Sequence, residues 1–161
     1  MIKGLYRRRD LVTGLLIYGT GDSIAALLAG EFLLARCLGM AAIGALLYGL
    51  EIPHYFRWVS SKSSVLSAWQ AALLRALLAM LYFNPLWVAR HLFFIHWFSG
   101  AAVDSGIFLV ALQSFITALP LTVLANLLIQ NGIPLTYRFA ASALFSCLMA
   151  IVYPLLASFL S

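Results

Sequence analysis

The sequence predicts an all-α fold, a polytopic transmembrane bundle of four to five hydrophobic helices in a single domain over residues 1–161. The chain is 64% hydrophobic and only 9% charged, whereas a typical soluble domain is about 45–50% apolar and about 25% charged. A globule of 161 residues has too little interior to bury so much apolar surface, so lipid is expected to cover it. The apolar runs are also far longer than the strands of about ten residues that build membrane barrels.

Five apolar stretches are predicted as helices, because each reaches the length of about 20 residues that a membrane crossing needs: 10–30, 32–59, 64–97, 103–129 and 134–160. The first follows a basic flank. The third is longer than one perpendicular crossing requires, so we expect it to tilt, to kink at Pro85 or to project from the membrane. The fourth contains Pro120, and for this stretch the alternative to a full crossing stays open. The fifth begins at Pro134, a favourable residue for a first helical turn.

Lysine and arginine are distributed unequally over the predicted helix ends. With five crossings, one side of the membrane has only Arg36 and Arg90 near its surface. The other side has Lys3, Arg7, Arg8, Arg9, Arg57, Lys62 and Arg138. Because positive residues are retained on the cytoplasmic side of membranes, the basic side is predicted to face the cytoplasm, or the matrix in a mitochondrion.

Small residues recur at helical spacing in the first two predicted helices. They form one stripe on the first helix, Gly19, Ser23, Ala26 and Gly30, and one on the second, Cys37, Ala41, Ala45 and Gly49. Small side chains let helix backbones approach closely, which favours helix association in lipid. The two stripes are therefore predicted to pack on each other.

Two ionisable residues are predicted to lie deep in the membrane, Asp22 in the first helix and Arg75 in the third. A charged group at that depth is costly and needs a polar partner. Both helices run in the same direction, and the two residues are about equally far from the helix starts. Asp22 and Arg75 are therefore predicted to pair, either as a structural ion pair that fixes helix order or as the lining of a water path.

A lipid headgroup site is predicted where basic and aromatic residues meet on the basic side, at Arg57, Lys62, Tyr137 and Arg138. Cations near an anionic membrane surface attract its lipids, and aromatic rings favour the headgroup level. A pocket with two or three cations would suit a doubly charged phospholipid such as cardiolipin. The alternative is ordinary flanking charge that sets orientation without a specific lipid.

Nothing in the sequence predicts catalysis. There is no hydrolase, phosphate-loop or paired-carboxylate motif, and His91 and His96 are too far apart around a helix to share a metal. The cations flank apolar runs instead of forming a basic patch, so nucleic acid is not an expected partner. No enzyme activity, metal or cofactor is predicted.

Several short stretches occur in an order that is similar to a known family. They are Thr13 before Gly21-Asp22, Gly49 before Tyr55-Phe56, Pro85, Pro120 with Asn126, Ile133-Pro134-Leu135-Thr136-Tyr137-Arg138 and Phe159-Leu160-Ser161. Together they resemble the Mpv-seventeen / peroxisomal membrane protein twenty-two family of small mitochondrial and peroxisomal membrane proteins. The resemblance implies a role as a pore or a modulator of metabolite permeability in an organelle membrane.

The chain departs from the family pattern mainly at its polar membrane positions, where Ala26, Ala79, Met80 and Val123 stand. The packing and turn residues are kept. We therefore expect a divergent, non-catalytic member, an accessory subunit of a larger mitochondrial inner-membrane complex with other membrane subunits as partners. The alternative is a pore or carrier, in the inner or the peroxisomal membrane, with the polar residues Asp22, Arg75, Asn84, Gln113 and Asn126 along its path.

Overall fold

The computed structural model describes the backbone of residues 7–160 and the side chains of residues 7–151. Lys3 and Ser161 of the sequence predictions lie outside the described residues. All regular structure in the described backbone is helical, and it forms six helices. They are α1 (Arg8–Leu28), α2 (Leu34–Ser63), α3 (Ala68–Tyr82), α4 (Pro85–Ser99), α5 (Gly106–Gly132) and α6 (Leu135–Leu160).

Three of these helices, α1, α2 and α5, are long and apolar enough to cross a membrane. The bent pair of α3 and α4 passes the same test when it is taken as one span, which gives up to four among the described residues. The segment Leu135–Ile151 of α6 is apolar but shorter. The prediction of an all-helical chain is confirmed, and a polytopic bundle is compatible with these lengths.

The predicted third stretch, 64–97, forms two helices with a bend at Pro85, and a kink there was one of its three expected outcomes. Residues 64–67 precede the helix, and the rest forms α3 and α4, bent by 41°. Pro85 is in the first turn of α4, and the Asn84 side chain accepts hydrogen bonds from the backbone N–H groups of Leu86 (2.8 Å) and Trp87 (3.1 Å). A proline that lacks an N–H and a capped first turn both favour a new helix start here. Pro120, in contrast, lies inside the continuous α5.

The chain divides into two compact units, and both dividing points lie inside helices. Unit 1 contains Met1–Pro53 and Phe139–Ser161, and unit 2 contains His54–Arg138. In unit 1, α1 and α2 form an antiparallel hairpin. Its turn has Gly30 in the left-handed conformation (φ 73°), and the N–H groups of Gly30 and Glu31 donate to the carbonyls of Leu27 and Ala26. This pair of backbone hydrogen bonds is the Schellman motif, in which glycine is favoured.

The hairpin packs through glycines, some of them outside the predicted stripes. A methyl group on Gly14 or Gly44 would overlap the backbone of the other residue, and one on Gly19 would lie 2.9 Å from Cβ of Ala41. Ala26, Ala45 and Gly49 are buried as well. The predicted stripes therefore meet in part.

Three stripe residues lie elsewhere. Gly30 is in the exposed turn, Cys37 is only half-buried, and Ser23 donates to the Gly19 carbonyl of its own helix (2.6 Å). Gly44–Tyr48 of α2 is a π-helical segment. A π-turn takes one more residue than an α-turn, so a stripe at every fourth residue cannot stay on one face.

In unit 2, α3 and α4 together pack along the length of α5. The α3 residue Arg75 contacts Asn131 near the end of α5, whereas the α4 residue Ala89 clusters with Ile107 and Ala111 near the α5 start. The bent pair thus extends antiparallel along α5.

Candidate functional site

The first charged site is a buried ion pair in unit 1, between Asp22 of α1 and Arg36 of α2. Arg36 Nε and Nη2 donate to the two carboxylate oxygens of Asp22 at 2.8 and 2.7 Å. Asp22 is 8% exposed and Arg36 is 9% exposed. Glu31 lies farther from the guanidinium, at 4.0 Å, and is mostly exposed. Two parallel bonds of this kind hold both planar groups in a fixed orientation.

The predicted pairing of Asp22 with Arg75 is therefore wrong. The expectation that Asp22 is buried beside a basic residue agrees with the structure, but the partner is Arg36, which the sequence analysis placed near a surface. A register rule could have found it. Asp22 and Arg36 each lie seven residues from Ala29, the last residue before the turn glycine, and residues equidistant from the turn face each other in an antiparallel hairpin.

The second charged site is at one end of unit 2, where α2, α3, α5 and α6 meet. We call it the two-arginine cluster, and it consists of Ser60, Ser63, Arg75, Asn131 and Arg138. Arg75 donates to Asn131 Oδ1 from Nε (3.0 Å) and Nη2 (2.8 Å), and to Ser63 Oγ from Nη1 (3.2 Å). Arg138 donates to the Ile133 carbonyl (2.9 Å) and to Ser60 Oγ (3.0 Å).

The cluster joins the two arginines through neighbouring turns of α2. Ser60 and Ser63 are three residues apart and hence adjacent on the helix surface. The two guanidinium groups thus donate to adjacent serines of one helix. All acceptors in the cluster are neutral, and neither guanidinium contacts a carboxylate within the described residues.

The predicted headgroup residues are brought together only in part. Arg138 is in the two-arginine cluster, and its bond to Ser60 places it at the same end of α2 as Arg57 and Lys62. Tyr137 is exposed. Arg75 was not among the predicted headgroup residues, and it reaches this end from the middle of α3.

The remaining polar residues of the predicted path have separate surroundings. Asn84 caps α4, and its amide nitrogen donates to the Leu81 carbonyl (2.9 Å). Asn126 donates to the Thr122 carbonyl of its own helix (3.0 Å), and Gln113 is exposed. A residue that the sequence analysis did not select, Gln130 of α5, is fully buried with no hydrogen-bond partner on either amide atom among the described residues.

Most of the outer surface of α5 is apolar. Only 11% of the most apolar stretch of α5 is buried within the described chain. Large exposed side chains occur along its whole length, among them Phe108, Leu112, Ile116, Leu124 and Leu128. Soluble monomers rarely expose apolar patches beyond a few hundred Å², so this helix needs lipid or another protein around it.

The chain was compared with protein-family models, curated proteins and solved structures, and none of the three comparisons gave a match. The arrangement of the two charged sites is therefore the basis for assigning a function.

Proposed function

We propose that the protein is a non-catalytic integral membrane protein, an accessory subunit of a larger complex of the mitochondrial inner membrane. The mitochondrial assignment rests on the sequence resemblance to the Mpv-seventeen / peroxisomal membrane protein twenty-two family. The structural part of the proposal rests on how the polar side chains are used.

The observation that carries the proposal is that the polar groups of the predicted path bond locally. Asp22 is bonded to Arg36, Arg75 to Ser63 and Asn131, and Asn126 to its own helix. A solute path would need polar atoms that face a common channel, and these atoms bind each other or the backbone. Charged pairs of this kind act as structural elements that hold helices in place.

The second support is the apolar surface. The helices are joined by short connections, so that little of the described chain is available for a catalytic domain outside the membrane. The exposed side of α5 is compatible with lipid and with the apolar helices of neighbouring subunits. A small helical unit that presents apolar faces suits the role of filling or bracing a larger membrane assembly.

A pore or carrier is the second candidate, and one observation favours it. Asn126 and Gln130 lie one turn apart on α5, both are buried, and the Gln130 amide has no partner among the described residues. A buried polar group without a partner is costly. Water or a passing solute could satisfy it.

The experiment that separates the two is native electrophoresis of the source membrane in mild detergent, with the chain detected by an epitope tag. Migration with a large complex, and loss of that complex on depletion of the chain, are the results expected of a subunit. Migration alone or as a small oligomer contradicts the subunit proposal. Flux of small solutes in proteoliposomes tests the second candidate. A pore predicts that Gln130→Leu reduces the flux and that Gln113→Leu, a change at an exposed glutamine of the same helix, does not.

A further inference from the structure

We propose that the two-arginine cluster binds a phosphate group, with the phosphodiester of an anionic membrane phospholipid as its ligand. The inference does not depend on the accessory-subunit proposal, because it needs only the geometry of unit 2. It holds equally for a subunit and for a pore.

The first argument is the charge balance of unit 2. Between His54 and Arg138 the sequence has five cations, Arg57, Lys62, Arg75, Arg90 and Arg138, and one acid, Asp104. Asp104 precedes the start of α5, whereas the cluster contains Asn131 near its end. A helix of 27 residues is about 40 Å long at 1.5 Å per residue. The one acid of the unit is therefore too far away to neutralise the cluster.

The second argument is the number of unused donors. A guanidinium has five N–H groups and always retains its charge. Arg75 donates three of its N–H groups, two to Asn131 and one to Ser63. Arg138 donates two, one to the Ile133 carbonyl and one to Ser60. Both guanidinium groups therefore keep free donors, in positions fixed by the bonds already made. Fixed guanidinium donors match the oxygen atoms of phosphate better than those of any neutral ligand.

The third argument is the position of Arg138 on its helix. It lies in the fourth position of α6, which begins at Leu135. The start of a helix has a partial positive charge and unpaired N–H groups, so cations there are unfavourable and anions are favourable. A second cation, Arg75, lies in the same cluster, since the two guanidinium groups donate to the adjacent serines Ser63 and Ser60. An anion bound at the cluster would offset both unfavourable interactions.

A lipid phosphate fits the surroundings of the cluster. The cluster lies where α2 and α5 end and α6 begins, reached by Arg75 from the middle of α3, and the exposed rings of Trp58 and Tyr137 lie at the same ends of α2 and α6. Such rings favour the headgroup level of a bilayer. The two guanidinium groups, Arg75 on α3 and Arg138 on α6, are placed to hold one phosphodiester between them.

The test measures lipid retention by native mass spectrometry of the whole chain, purified from membranes that contain phosphatidylcholine and either phosphatidylglycerol or cardiolipin. We expect at least one anionic lipid to stay bound. In the double variant Arg75→Gln with Arg138→Gln, its affinity should fall about tenfold or more, the equivalent of about 1.4 kcal/mol. The matched control is Arg57→Gln with Lys62→Gln, which removes the same charge from the same end of α2 and should change affinity less.

Two further arms identify the source of the phosphate and check the fold. Inorganic phosphate is titrated against the wild-type chain in phosphatidylcholine nanodiscs; binding there with the same dependence on Arg75 and Arg138 would assign a soluble phosphate and overturn the lipid assignment. The variant Arg75→Lys with Arg138→Lys keeps the charge and should retain helicity and part of the lipid binding. The proposal is overturned if a folded glutamine double variant retains anionic lipid as the wild type does, or if the control variant loses as much.

Discussion

At the scale of single residues, the buried pair of Asp22 and Arg36 is the contact most sensitive to substitution. Asp22→Asn would leave the Arg36 guanidinium charged, buried and without its carboxylate. Breaking one side of a buried ion pair typically costs about 3–5 kcal/mol. We expect a marked loss of thermal stability in detergent, measured by circular dichroism.

The matched control for Asp22→Asn is Glu31→Gln, because Glu31 is the other acid near Arg36 and is 73% exposed at its side chain. Exposed ion pairs contribute at most about 1 kcal/mol, so this variant should melt close to the wild type. Equal losses in the two variants would show that the Asp22–Arg36 bond is not the source of the stability.

The residue scale is also where the sequence analysis was least successful. Asp22 and Arg75 were predicted to need partners, because apolar runs make a polar residue conspicuous. The apolar pattern alone does not give the partners, because they depend on helix register. The hairpin register pairs Asp22 with Arg36, whereas Arg75 bonds to Ser63 and Asn131 in the two-arginine cluster.

At the scale of helices, the glycine contact between α1 and α2 sets how closely the hairpin packs. In Gly14→Ala, the new methyl group would overlap the Gly44 backbone, and the helices would have to separate. Overpacking of this kind costs typically about 1–3 kcal/mol. We expect a lower melting temperature for Gly14→Ala and little change for Gly132→Ala, where a methyl group meets no atom within 4 Å. A normal melting temperature for Gly14→Ala would contradict the close approach.

The two turn glycines matter for their backbone conformation and not for close packing. Gly30 and Gly100 have φ values of 73° and 69°, and neither has neighbouring atoms that a methyl group would touch. Left-handed backbone costs other L-residues roughly 1–2 kcal/mol. Gly30→Ala and Gly100→Ala should therefore each destabilise the fold by about 1 kcal/mol in chemical denaturation, although both sites are open. Gly30→Asn should be milder, since asparagine tolerates this conformation better. If all three variants are as stable as the wild type, the turns are not held in the left-handed conformation.

At the scale of the whole molecule, composition was sufficient for the fold class, because 64% hydrophobic residues allow few alternatives to apolar helices. Local signals mark the helix ends at Leu28 and Ser99. Each end is followed by a left-handed glycine in a Schellman turn. A kink at Pro85 was one of three outcomes expected for the third stretch, since proline acts locally, and the break occurs there. The π-helical segment Gly44–Tyr48 was not predictable, because it depends on which residues meet across the hairpin.

The last prediction concerns how often unit 2 crosses the membrane. If α3 and α4 are one broken span along α5, residues before α3 and after α5 lie on one side, and the turn before α5 lies on the other. We expect Ser64→Cys and Gly132→Cys to react with an impermeant maleimide from one side of sealed vesicles, and Ser105→Cys from the opposite side. Each is placed in a chain in which Cys37 and Cys147 are replaced by alanine. Labelling of Ser105→Cys from the same side as Ser64→Cys would show that α3 and α4 return to their starting side. In that case α5 would not cross either. Its last residue, Gly132, follows Asn131, and Arg75 bonds to both Asn131 and Ser63, so Gly132 lies at the same end of the unit as Ser63.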